Sequence, residues 1–123
     1  MIETTDENRL SVLALDAAGG ACSAALLSGG RVAAHRWAEM EHGQAEALIP
    51  MVQAVMAEAG VRYDALDLMA VTVGPGSYTG VRVGLAAARA LASAADKPLS
   101  GVSSFDAVRA AVDRIPDADW NAN

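Results

Sequence analysis

Three glycines and the aliphatic hydroxyls of Ser77 and Thr79 are gathered in Gly74-Pro75-Gly76-Ser77-Tyr78-Thr79-Gly80, between a short apolar run and a long alanine-rich stretch. A glycine-rich turn at a helix N-terminus presents amide hydrogens and the positive end of the helix dipole, and both favour an anion such as phosphate. The segment departs from both standard nucleotide loops. No Lys-Ser/Thr follows its last glycine, and Thr79 stands where a dinucleotide fingerprint would place its third glycine. A structural strand-to-helix turn asks for the same residues, so the two readings stand side by side. Asp16, just ahead of Gly19-Gly20, is the second candidate. A carboxylate there can serve phosphate or magnesium, or it can accept the backbone hydrogen bonds of its own turn. Asp16, Gly19, Gly74, Gly76 and Ser77 are therefore the candidate cofactor-binding residues.

Other chemistry is harder to assemble. His42 and Glu46 are four apart, half of a zinc site, but Gly43 between them disfavours helix, and the other histidine, His35, falls in a strand-like run. No metal site and no catalytic residue are assigned, because no nucleophile, base and orienting group can be placed together. Asp64 and Asp67 read as a solvated loop. The single cysteine, Cys22, alternates with apolar neighbours as a core residue does, and it excludes an internal disulfide.

The elements that would position these residues follow from periodicity. Leu10–Asp16, Ala21–Leu27 and Val32–Trp37 read as three strands joined by glycine turns at Ala18-Gly19-Gly20 and Ser28-Gly29-Gly30, an antiparallel meander. From Gln44 to Ala59 the period becomes helical, with Ala45, Leu48, Ile49, Val52, Val55, Met56 and Ala59 on the sheet-facing arc. A second strip of Ala47, Pro50, Met51, Ala54 and Ala57 lies opposite. Pro50 predicts a kink, or a helix that begins there. Leu68–Val73 is a fourth strand, Thr79–Ala95 a helix apolar nearly all round, Leu99–Val102 a fifth strand, and Ser104–Arg114 a last helix. A meander followed by two crossovers implies an α/β domain with a mixed five-stranded sheet and flanking helices. The domain is expected over 10–115, between a disordered segment 1–9 and a polar tail 116–123.

The chain of 123 residues is 53% hydrophobic and 20% charged, so it is neither disordered by composition nor long enough for two full domains. Its net charge of −6 is the wrong sign for holding nucleic acid unaided, so any RNA would have to be held by a partner. Without a secretory leader pattern or an apolar run long enough to span a bilayer, a cytoplasmic protein without membrane association is expected.

Gly74-Pro75-Gly76-Ser77-Tyr78-Thr79-Gly80-Val81-Arg82-Val83-Gly84-Leu85 strongly resembles the TsaB (YeaZ) family of tRNA threonylcarbamoyladenosine biosynthesis proteins. Leu13-Ala14-Leu15-Asp16, Cys22-Ser23-Ala24-Ala25-Leu26, Gln44-Ala45-Glu46-Ala47-Leu48-Ile49-Pro50-Met51 and Pro98-Leu99-Ser100-Gly101-Val102-Ser103-Ser104 agree in order and spacing. The resemblance runs from Leu10 to Arg114 and implies the actin-like ATPase, ribonuclease-H-like fold. It implies partnership with a TsaD-like catalytic subunit and a TsaE-like ATPase in making threonylcarbamoyladenosine next to the anticodon of tRNA. In the TsaD paralogue a His-x-x-x-His metal pair follows a similar Pro-Leu-x-Gly-Val stretch. Ser104 and Val108 hold those places here, and neither replaces an imidazole. A non-catalytic scaffold is therefore expected, the alternatives being an actin-like small-molecule kinase or ATPase and a glycopeptidase-type metallopeptidase. Family members are about twice as long, with a second similar domain, so ATP or ADP would meet half a cleft and no cofactor is assigned. Pro50, Met51, Ala54 and Ala57 on the first long helix and Gly80, Gly84, Ala87 and Ala88 on the second are expected to form the partner surface, to TsaD or in a homodimer. The alternative cover for that surface is a second domain.

Overall fold

The computed structural model describes residues 10–106; the expectations for 1–9, for the rest of the last helix and for the tail lie outside the described residues. Three antiparallel strands open the chain: β1 (Ser11–Asp16), β2 (Ala21–Ser28) and β3 (Arg31–Glu39). Gly29 and Gly30 both adopt positive φ, 59° and 79°, the conformation a two-residue hairpin needs to match the strand twist. Helix α1 (Gln44–Ala59), a 3₁₀ turn (Tyr63–Ala65), β4 (Leu68–Thr72), helix α2 (Tyr78–Ala95) and β5 (Leu99–Val102) follow. The sheet order is β3-β2-β1-β4-β5, with β1, β4 and β5 parallel. This is the mixed sheet expected from the order of elements.

Handedness then places the helices. β3 runs with β1, because two antiparallel pairings separate them, so β3 to β4 and β4 to β5 are both parallel crossovers stepping the same way across the sheet. Right-handed connections of that kind put both helices on one face. Accordingly α1 lies on β2 and β3, α2 on β4, β1 and β5, and the helices touch each other. Between them and the sheet sit Leu13, Leu15, Ala24, Leu26, Met69 and Val71, packed against Val52, Val55, Met56, Ala88 and Ala92. A smaller cluster of Ala17, Cys22 and Leu48 extends this core toward the β1–β2 turn.

The helices depart from the periodicity reading in three respects. Helix α1 runs unbroken through Pro50 from its start at Gln44, so it does not open at the proline. Its buried row is Gln44, Leu48, Val52, Val55 and Met56, whereas Ala45 is exposed. On α2 the buried residues are Gly80, Gly84, Ala88 and Ala92, one every fourth position. Gly80, Gly84 and Ala88 therefore face the chain's own sheet, which corrects their assignment to a partner surface. The cause is steric: a Cβ at Gly80 would overlap the carbonyl of Ala17, and one at Gly84 would already touch Ala17 Cβ and Val71 Cγ2 at 3.6 Å. Met51 and Ala87 are half-buried and pack against the Ala17, Cys22 and Leu48 cluster.

The steric constraint is measurable. Gly80→Ala would add about 1 kcal/mol to an isolated helix by propensity. In this chain it should instead lower stability by roughly 1–3 kcal/mol or more, because backbone cannot move aside as a side chain can. Gly19, with nothing near its would-be Cβ, should accept alanine with little change. Urea midpoints of the two variants decide the matter.

Candidate functional site

The candidate residues meet at the carboxyl ends of β1 and β4, where the loop ahead of α2 lies against the β1–β2 turn. Ser77 is the N-cap of α2; its Oγ accepts the Gly80 amide at 3.0 Å. The Ser77 amide donates to the Ala18 carbonyl at 2.8 Å. Gly76 lets the two backbones come this close, since a Cβ there would overlap the Ala18 carbonyl. Gly74 adopts φ 107°, which disfavours any side chain, and its carbonyl accepts the Ser104 amide at 2.9 Å.

Asp16 closes the same junction from the sheet side. Its Oδ1 accepts the Ala18 amide at 2.9 Å and the Thr72 hydroxyl at 2.6 Å. One carboxylate oxygen thus shapes the turn and ties β1 to β4, while Oδ2 makes no hydrogen bond among the described residues. Of the five candidates, Asp16, Gly76 and Ser77 come together around Ala18. Gly74 sits one step along the loop, and Gly19 is exposed at the turn with no neighbour near its Cβ position. Thr72 and the Ala17-Ala18 backbone belong to the site and escape motif reading. A hydroxyl at the end of an apolar strand was the one visible signal.

The arrangement has a defined chemical capacity. Two of the amides at the loop and helix start already have protein acceptors, Ala18 O and Ser77 Oγ. A phosphate would also face the Asp16 carboxylate, so it could settle here only with a divalent cation between them. His42 and Glu46 lie beside this junction, lining a depression with Gln44, Ser77, Thr79 and Val83. His42 precedes α1, as Gly43 at φ 88° leads one to expect. Among the described residues no three His, Cys, Asp or Glu side chains gather as a metal site would require. Cys22 is buried, and burial together with the nearby Asp16 carboxylate raises its thiol above the ordinary range.

Asp16→Ala should cost about 2–3 kcal/mol, as expected for hydrogen bonds to a charged acceptor, and Asp16→Asn less, since an amide oxygen can accept both bonds. Combining Asp16→Ala with Thr72→Val should cost clearly less than the sum of the two, because both remove one contact; additive unfolding energies would show that the contact carries no weight. Cys22, protonated at neutral pH, should resist maleimide until the chain unfolds, and rapid labelling of the folded protein would contradict its burial.

Comparison with known proteins agrees with this geometry. The family model described as "TsaD: tRNA N6-adenosine threonylcarbamoyltransferase" matches residues 25–118. The Escherichia coli (strain K12) tRNA threonylcarbamoyladenosine biosynthesis protein TsaB is 41% identical over 97 residues, 78% of this chain and 41% of that protein. A tRNA N6-adenosine threonylcarbamoyltransferase of Erythrobacter litoralis is 48% identical over 75 residues, 61% of this chain and 22% of that protein. The solved structure of YeaZ from Pseudomonas aeruginosa superposes with a TM-score of 0.73 at 39% identity, covering 76% of this chain and 44% of that one. The chain thus spans half or less of the length of the relatives it matches. The sheet order and this superposition give it the actin-like, ribonuclease-H-like fold. The chain belongs to the TsaB (YeaZ) family, within the wider group whose shared domain the TsaD model describes.

Proposed function

We propose that the chain serves the biosynthesis of threonylcarbamoyladenosine in tRNA as a non-catalytic scaffold. Its partner is a TsaD-like catalytic subunit, a TsaE-like ATPase joins that pair, and a homodimer forms when the chain is alone. The observation that carries this reading is the outward surface of the helix pair. Pro50 and Ala57 are exposed on α1 beside the half-buried Met51 and Ala54, and α2 exposes Ala86, Ala90 and Ala94. These small side chains, set beside exposed Gln53, Arg82, Arg89 and Ser93, let a second pair of helices approach closely. The relatives named TsaB supply the pathway, and Ser104 and Val108 in place of the paralogue's histidines support the absence of metal chemistry. The net charge of −6 supports tRNA contact through the assembled complex alone. Among the described residues no helix is long and apolar enough to cross a membrane, in keeping with a cytoplasmic role.

The second reading, an ATPase or kinase, rests on the second oxygen of Asp16 beside the capped start of α2. Calorimetry with magnesium and ATP separates the two: micromolar binding abolished by Asp16→Asn supports the enzyme. The scaffold reading is tested by size exclusion of the chain with purified TsaD. Ala54→Trp and Ala90→Trp should each weaken co-elution about tenfold or more, the scale of a bulky side chain in a packed interface, with the thermal melt nearly unchanged. Wild-type chain that does not co-elute, or two variants that bind as wild type does, would overturn it.

A further inference from the structure

β3 is an edge of the sheet: β2 pairs with one side of it, and among the described residues nothing pairs with the other. It is nine residues long and carries no proline or lysine, the residues that commonly keep an edge from pairing. Trp37 is 59% exposed on it, and His35, Arg36 and Glu39 are exposed as well. The Met40 amide donates to the Gly20 carbonyl at 3.0 Å, so by the alternation of a strand the amides and carbonyls of Glu39, Trp37 and His35 turn outward, away from β2. A row of backbone donors and acceptors therefore runs beside an exposed indole.

The residues along β3 decide what fits that row. Two antiparallel copies related by a two-fold axis set one residue opposite itself, and every other pair follows from it. Centred on His35, the pairing runs into the irregularity at Ala33, which β2 skips because Leu26 faces Ala34 and Leu27 faces Val32. Centred on Arg36, it sets two guanidinium groups directly opposite, which is destabilising. Centred on Trp37, it clears the irregularity and uses the five residues from His35 to Glu39. The indole then meets its own copy, Arg36 meets Ala38, and His35 meets Glu39 once on each side of the axis. An aromatic pair flanked by two pairs of imidazole and carboxylate is self-complementary. Centres nearer the end of the strand leave fewer residues to pair.

We propose that two copies of the chain join edge to edge through β3, antiparallel about a two-fold axis at Trp37, so that their sheets become one continuous sheet. Five paired residues make a weak, reversible contact. It is separate from the exposed side of α2, which lies over β4, β1 and β5, so it adds to the helix-pair contact and does not replace it. An extended peptide of another protein is the rival occupant.

The test is light scattering of the full chain across a concentration series, carried out with Ala90→Trp, which obstructs the helix-pair contact and leaves β3 untouched. A reversible dimer should remain. Trp37→Lys should raise its dissociation constant about tenfold or more, the loss of a central aromatic anchor. His35→Glu should raise it about fivefold or more, because it sets a carboxylate opposite Glu39 at two places, and adding Glu39→Lys should restore it. Within one strand positions 35 and 39 are about 13 Å apart, so only pairing between copies explains the rescue. All three side chains are exposed, and thermal melts should be nearly unchanged; should Trp37→Lys unfold the chain, the charge rescue decides. An Ala90→Trp chain that is monomeric at every concentration would overturn the proposal. So would a dimer indifferent to Trp37→Lys, or one that the charge swap fails to restore.

Discussion

The backbone of the β1–β2 turn lies directly against the start of α2, and the rest of the fold is arranged around that approach. Gly76 and Gly80 are the two points where any side chain would run into a carbonyl, of Ala18 and Ala17 respectively. Once the helix start is held that close, the following turns of α2 must also stay near the sheet, so Gly84, Ala88 and Ala92 continue the small-residue row. Large core residues are accordingly supplied by the strands and α1, with Leu13, Leu26, Leu48, Val52 and Met69 fully buried. Small side chains on one helix and large ones on the other solve a single packing problem at interior density.

Asp16 strengthens the same junction electrostatically. A carboxylate accepting both a backbone amide and a hydroxyl from a neighbouring strand makes charge-assisted bonds, the stronger class. These bonds join residues 56 apart in the chain, so they hold only when β1 and β4 are correctly paired. The surface pair Arg36–Glu58, which links β3 to α1 with both side chains near half exposed, contributes less, since solvent screens it. The weight of polar stabilisation therefore falls at the site.

Much of this was legible in the sequence, for reasons that also explain what was not. Alternation and paired glycines announce the meander, and the switch to a 3.6-residue period announces α1; both signals are local. Sheet order follows because the crossover rules admit few topologies. The row Gly80, Gly84, Ala88 was visible as a ladder of small residues, but periodicity gives an arc and not its occupant. A ladder that brings a helix close to its own sheet is written like one that brings it close to a partner. Gln44 buried in place of Ala45 is a shift of one position, set by Gly43 and the turn before the helix. The hydrogen bond from Thr72 to Asp16 has no local signature, because it exists only after two strands have found each other.

The site's two readings differ in what completes Asp16. As a structural junction it is finished: one oxygen is engaged twice, and the nearest amides have acceptors in Ala18 and Ser77. As half of a nucleotide site it would need a cation and a second wall, since an anion cannot approach a carboxylate unaided. A capped helix start, an oriented carboxylate and close backbone packing are the parts a phosphate site requires, and they are also sufficient to hold a sheet and a helix together. The contacts of this junction give it a complete structural role. Substituting Gly76, Gly80 or Asp16 would first weaken the fold, whatever chemistry the junction serves.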